Sequence, residues 1–167
     1  MATTRTGKSS SFCAASASCT SEPVAIRIAF ALRGEEALAQ VRRGGYVLSD
    51  APWAKAVLIA TGSEVPLALE VQKRLAAEDV AVRVVSMPSS TVFDRQDAAY
   101  REAVLPRALP RVAVEAGVTG FWRKYVGLEG AVLGIDRYGE SAPAGDLFKH
   151  FGLTPENLEK AVRSVLS

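Results

Sequence analysis

From residue 44 onward the apolar positions follow two alternating rhythms. Tyr46-Val47-Leu48-Ser49, Ala56-Val57-Leu58-Ile59-Ala60, Val80 to Ser86, Arg111-Val112-Ala113-Val114-Glu115 and Ala131-Val132-Leu133-Gly134-Ile135 are short runs of strand length, rich in β-branched residues. A strand that is apolar on both sides suits a sheet covered on both faces. The expected core is Val57, Leu58, Ile59, Val82, Val84, Val112, Val114, Val132 and Leu133. Between these runs the rhythm becomes helical. Leu67, Ala68, Val71 and Leu75 form one stripe, and Leu158, Ala161, Val162 and Val165 form another.

Punctuation residues set the predicted boundaries. Gly44-Gly45 breaks a helix that begins at Glu35, and Asp50-Ala51-Pro52 ends the first strand. Ser63 reads as an N-cap with Pro66 in the first turn, and that helix stops near Glu78-Asp79. Asp94 reads as the cap of a helix from Arg95 to Val104, ended before Pro106. Phe121 to Val126 is a short helix. Ser141 reads as a cap with Pro143 following, and Thr154-Pro155 opens a last helix reaching about Leu166. Glu70 with Arg74, and Asp97 with Arg101, are spaced as i, i+4 ion pairs. Strand, helix and strand in succession make a right-handed βαβ unit. The whole predicts a three-layer α/β/α domain on a mostly parallel, roughly five-stranded sheet. No internal repeat is evident.

Composition separates the first 33 residues from the rest. They hold ten Ser or Thr residues and both cysteines, Cys13 and Cys19, with charges Arg5, Lys8, Glu22, Arg27 and Arg33. Residues 1–33 are read as a leader and 34–167 as the folded domain. The leader fits a disordered tail, an organelle transit peptide, or a frame-shifted start joined late to a real domain. The full chain of 167 residues is 49% apolar with a net charge of +2. That balance carries no nucleic-acid footprint. The longest apolar candidate for a membrane span, Val24 to Leu32, is far short of the ~20 residues needed and contains Arg27. No nucleic acid or membrane is expected as a partner, and the expected location is cytoplasmic, with organelle import through the leader as the alternative.

In an open α/β sheet, ligands favour the crevice beyond the C-terminal strand ends. Four loops are expected there: Thr61-Gly62-Ser63-Glu64, Met87-Pro88-Ser89-Ser90, Glu115-Ala116-Gly117, and Asp136 to Ser141. Thr61, Gly62, Ser63, Gly139 and Ser141 form a candidate anion site at two helix starts. Glu64 and Glu140 stand in the same turns, where a carboxylate can satisfy the helix end itself and repel a phosphate. The single histidine, His150, reads either as a general base or as a residue closing a helix before Phe151-Gly152. Phe121-Trp122-Arg123-Lys124-Tyr125 reads either as a base-stacking patch or as rings packed inward or on a partner. No G-x-S-x-G elbow, Walker A or G-x-G-x-x-G motif occurs, and one histidine without cysteines in the body leaves no common zinc set. The residues alone give no catalytic assignment and no metal assignment.

Seven stretches, in order, resemble the C-terminal, third domain of transketolases: Arg43 to Leu48, Ile59-Ala60-Thr61-Gly62-Ser63-Glu64-Val65, Arg83 to Ser89, Phe93 to Arg101, Arg111 to Gly117, Lys124 to Leu128, and Tyr138-Gly139-Glu140-Ser141-Ala142-Pro143-Ala144. Residues 44–167 carry the resemblance, and Ser86 to Ser89 with Gly139 to Pro143 favour transketolase over other thiamine enzymes. The resemblance implies a parent that uses thiamine diphosphate and a divalent metal to move ketol units between sugar phosphates in the pentose phosphate pathway. In that family the cofactor ligands and catalytic histidines lie in the first two domains. Gly-Asp-Gly and Asn-Asn are both missing from this chain. The expectation is therefore a structural or dimer-forming domain, as a fragment or split subunit, with no cofactor of its own and no catalytic residue. Its expected partners are the remaining domains or a second copy. The alternatives are a free-standing module that binds an anion or a protein, or the matching domain of another thiamine diphosphate enzyme.

Overall fold

The computed structural model describes residues 35–167. The leader expectation lies outside the described residues. Among them the elements run α1 (Glu35–Val41), β1 (Tyr46–Ser49), β2 (Ala56–Ala60), a 3-10 turn (Gly62–Glu64), α2 (Val65–Ala76) and β3 (Val82–Ser86). They continue with α3 (Ser90–Asp94), α4 (Ala98–Val104), β4 (Arg111–Val114), α5 (Thr119–Val126), β5 (Ala131–Leu133), α6 (Ala144–His150) and α7 (Pro155–Leu166).

The five strands form one sheet in the order β1-β3-β2-β4-β5. β2, β3, β4 and β5 are parallel, and β1 joins β3 antiparallel at one edge. The register sets Leu58 beside Val84 on one side and Val112 on the other. This is the expected three-layer, mostly parallel architecture.

Alternation along the strands divides the core into two layers. Leu58, Val84, Val112 and Val114 face α2 and α7, meeting Val71, Leu75, Leu158 and Val162. Val57, Ile59, Val85 and Ala113 face α3, α4 and α5, meeting Phe93, Val104, Trp122 and Tyr125. The central strand β2 is completely buried along its length. Val132 and Leu133 were expected in the core but are only half-buried, because β5 is a three-residue edge strand with one neighbour.

Several predicted caps fall elsewhere. Asp94 ends α3 instead of starting a helix, and its carboxylate takes Lys124 Nζ at 2.6 Å and the Tyr125 hydroxyl at 3.1 Å. Ser89 caps α3, and Asp97 caps α4 by accepting the Tyr100 N–H at 2.8 Å. The helix expected from Arg95 to Val104 thus starts only at Ala98, and a separate short helix, α3, precedes it. Asp97 is turned to this cap and lies 3.8 Å from Arg43, so the anticipated Asp97–Arg101 pair does not form. Glu70 does pair with Arg74, at 2.6 Å, and Arg74 also reaches Glu156 at 2.8 Å, linking α2 to α7. Gly44 has φ +83°, and a Cβ there would stand 2.4 Å from the Ser89 carbonyl, so the start of α3 can rest on bare backbone.

Candidate functional site

The parallel strands carry the four expected loops to one end of the sheet. The turn after β2 is drawn inward by Glu64. Its side chain is buried, at 4% exposure, and its Oε1 accepts the Ser63 hydroxyl at 3.2 Å and the Ala116 N–H at 3.3 Å. Burial pushes this carboxyl above its usual range, and the negative charge of Glu115 adds to the shift. Ser63 was expected to cap α2 and does not. The Gly62–Glu64 turn intervenes, Glu64 occupies the cap position, and no side chain caps α2. Pro66 does fall in the first turn. Besides its own backbone at the start of α2, Glu64 fastens the loop after β4.

That loop is fixed from its other side as well. Glu115 accepts the Trp122 indole N–H from α5. The Gly117 carbonyl accepts the Ile135 N–H at 2.7 Å, and a Cβ on Gly134 would meet the same carbonyl at 2.6 Å. Asp136 accepts the Thr119 N–H at 2.8 Å and its hydroxyl at 2.7 Å, closing the start of α5. Those bonds hold the Asp136 carboxyl below the usual range. Nothing in the sequence marked Asp136 for this task beyond its place one loop away from a helix start.

The turn after β5 lies more open. Tyr138, Gly139, Glu140 and Ser141 are all exposed, and nothing approaches within 4 Å of a Cβ built on Gly139. The expected Ser141 cap does not form, because α6 begins at Ala144 with Pro143 in the cap position and no side-chain cap. His150 is the last residue of α6, as its closing reading required, and its Nε2 lies 3.1 Å from Glu140 Oε1. Thr61 is half-buried, while Gly62 and Ser63 are exposed beside the sealed Glu64. Of the candidate aromatic and basic cluster, Trp122 and Tyr125 point inward and Phe121 stays half exposed. Val118, Phe121 and Tyr138 put apolar surface around this end of the sheet.

Among the described residues no three His, Cys, Asp or Glu side chains gather at one point. Glu64 and Glu115 are each committed to an internal donor. The donor set at the crevice therefore does not fit a divalent metal carrying a diphosphate.

What fold and crevice define is an α/β domain whose end loops are braced on one another by internal hydrogen bonds. A family profile described as "Transketolase-like TK C-terminal domain" matches residues 44–154, and the chain belongs to that family. Transketolase 1 of Vibrio cholerae is 55% identical over 137 residues, which are 81% of this chain and 21% of the relative. The structure of transketolase from Leishmania mexicana superposes with a TM-score of 0.72 and 44% identity, covering 77% of this chain and 19% of that one. A structure described as "Split gene transketolase, inactive beta4 tetramer" superposes with a TM-score of 0.56 and 29% identity, over 75% of this chain and 43% of that chain. The chain thus spans about a fifth of the length of the curated relative it matches.

Proposed function

We propose that residues 34–167 serve as the C-terminal domain of a transketolase, docking by the crevice end of the sheet onto the domains that carry the thiamine diphosphate chemistry. The carrying observation is the pairing of family membership with the crevice geometry. The chain corresponds to about a fifth of its relatives. The carboxylates at the crevice brace loops, while Val118, Phe121 and Tyr138 present apolar surface around it. Rigid loops rimmed by exposed apolar side chains suit a protein interface. In this reading the domain stabilises and positions the assembled enzyme, contributes to its dimer, and acts in the pentose phosphate pathway in the cytoplasm. The catalytic groups and the cofactor belong to the other domains.

The test is reconstitution. The chain alone, given thiamine diphosphate, magnesium, xylulose 5-phosphate and ribose 5-phosphate, should neither bind the cofactor tightly nor turn over. Addition of a protein carrying the first two transketolase domains should produce a complex with ketol transferase activity. Activity of the chain alone that is abolished by Glu64→Gln would overturn the reading. A second reading, a separately encoded subunit that assembles with itself, draws on the likeness to the split-gene transketolase described as an inactive beta4 tetramer. Its sign would be a defined tetramer of the isolated chain.

The exposed turn at Gly139 and Ser141, together with Thr61, Gly62 and Ser63, retains the narrower proposal of a small-anion site. Calorimetry with sulfate on the parent and on Ser141→Ala tests it: heat that the substitution removes supports the site, and unchanged heat rejects it. A chain beginning at Gly34 that melts at the temperature of the full chain would support the proposed domain boundary.

A further inference from the structure

A second concave feature lies at the opposite end of β4 from the crevice, between α4 and α5. It has a volume of about 280 Å³, and its lining includes Arg101, Arg107, Arg111 and Lys124, with Asp94 and Glu102 as its carboxylates. The formal balance is four positive charges against two negative, or +2. The carboxylates are already engaged. Glu102 accepts the Arg107 backbone N–H at 2.8 Å and lies 3.5 Å from its guanidinium, while Asp94 is shared by Lys124 and Tyr125.

That leaves two guanidinium groups without a carboxylate among the described residues. Arg111 is half-buried and donates to the Tyr125 carbonyl at 2.8 Å and the Leu105 carbonyl at 2.9 Å. Those carbonyls lie at the C-terminal ends of α5 and α4, whose dipoles favour a cation and account for where Arg111 sits. They do not account for Arg101, which makes no side-chain hydrogen bond or ion pair among the described residues. The positive charges also oppose one another. Burial disfavours the charged form of Arg111; Glu102 opposes that effect and Arg107 adds to it. Lys124 is held in its charged form chiefly by its hydrogen bond to Asp94, with Arg101 acting against it. Like charges converging on one hollow are relieved by an anion within it.

We propose that this cleft binds a small phosphate monoester, its phosphoryl group held by Arg101, Arg107 and Lys124 above Arg111. The charge matches, since a phosphate monoester carries about −1.5 to −2 at neutral pH. Guanidinium forks and an ammonium suit the several oxygens of one tetrahedral centre. The cleft is wider than a bare phosphate, and Phe93, Leu105 and Tyr125 line it with apolar surface for an organic group. A volume below the ~300 Å³ at which pockets for drug-sized ligands begin limits that group to a few carbons.

The experiment titrates the full 167-residue chain at low ionic strength with glycerol 3-phosphate, following backbone amide shifts. Inorganic phosphate, malonate and glycerol are run alongside. Saturable shifts centred on Arg101, Arg107, Lys124 and Tyr125 are expected, with malonate at least about tenfold weaker and glycerol silent. Arg101→Gln and Arg107→Gln should each weaken binding about tenfold without moving the melting temperature, while Arg42→Gln leaves binding unchanged. Glycerol 3-phosphate binding tighter than inorganic phosphate would identify an organic monoester as the ligand. Inorganic phosphate binding equally well or better would overturn that part of the assignment. Shifts spread over all surface cations, no saturation by about 10 mM, malonate as tight as phosphate, or full binding by the Arg101→Gln, Arg107→Gln double variant would each overturn the site.

Discussion

Glu64 shows how one side chain can hold a functional-looking turn for structural reasons. Its carboxylate is withdrawn from water and accepts donors from Ser63 and from Ala116. Burial raises its pKa above the reference of 4.5, so ionisation is harder in the folded state than in the unfolded chain. The stability this group contributes is therefore complete below about pH 4.5 and declines as pH rises through the raised folded value. Glu64→Gln keeps the accepting oxygen and removes the charge. The variant should melt above the parent at about pH 7 and close to it at about pH 4, as thermal unfolding followed by circular dichroism would show. A lower melting temperature at neutral pH would mean that the ionised form is favoured by its two donors. The sequence exposed the Thr61 to Glu64 turn, but not this bond. Ala116 lies 52 positions away, and only the closed sheet brings it near. The same limit hid Trp122 to Glu115 and Thr119 to Asp136, which are contacts between loops and not patterns along a strand or helix.

The periodic elements were legible because their burial is periodic. β2 reads as five apolar residues and is buried at all five, and α2 carries its stripe inward at Leu67, Ala68, Val71 and Leu75. Ile59→Ala should cost about 2–5 kcal/mol in chemical denaturation. Leu133→Ala, on the half-buried edge strand, should cost less than half as much. Equal losses would place β5 in the interior. Caps were less legible, since Ser, Thr and Asp near a helix start all look alike before the chain is folded. Thr154 accepts the Asn157 N–H at 3.4 Å, whereas Ser141 stands outside its helix in the exposed turn. Thr154→Ala should therefore lower stability by about 1 kcal/mol. Ser141→Ala should stay within about 0.5 kcal/mol. Asp94 suits a cap by residue type, but its position gives it to Lys124 and Tyr125 across the helix layer.

For the molecule as a whole, the two sheet ends differ in how their charged side chains are used, while both expose apolar side chains, Trp53 and Leu128 at the far end included. The crevice end is braced by carboxylates and rimmed by Val118, at 63% exposure, and Tyr138, at 97%. The far end gathers uncompensated positive charge around Arg111. A domain that docks by the first end should associate when it is prepared without a partner. Sedimentation of the isolated chain should show association that rises with concentration, and Phe121→Ser with Tyr138→Ser should weaken it. A monomer at every concentration would remove this end from the docking reading. None of this asymmetry is visible as a motif. It arises because parallel strands send all their C-terminal loops in one direction, so residues far apart in the chain share one surface.

The order of the sheet has a mechanical consequence. β3 lies between β1 and β2, so within the sheet β1 pairs only with β3, through an antiparallel ladder interrupted by a register shift between Val47 and Ser49. Outside the sheet, Gln72 and Tyr100 donate to the Ser49 and Gly45 carbonyls. A pull on the chain upstream of Tyr46 acts on this outermost ribbon, which can be peeled away while β2, β3 and β4 stay zipped. Local opening should follow the same seam. Amide exchange at Val47 and Leu48 should outpace that at Leu58 and Ile59 by orders of magnitude. The sheet would then have a tear line through which tension on the upstream chain is spent before it reaches the core.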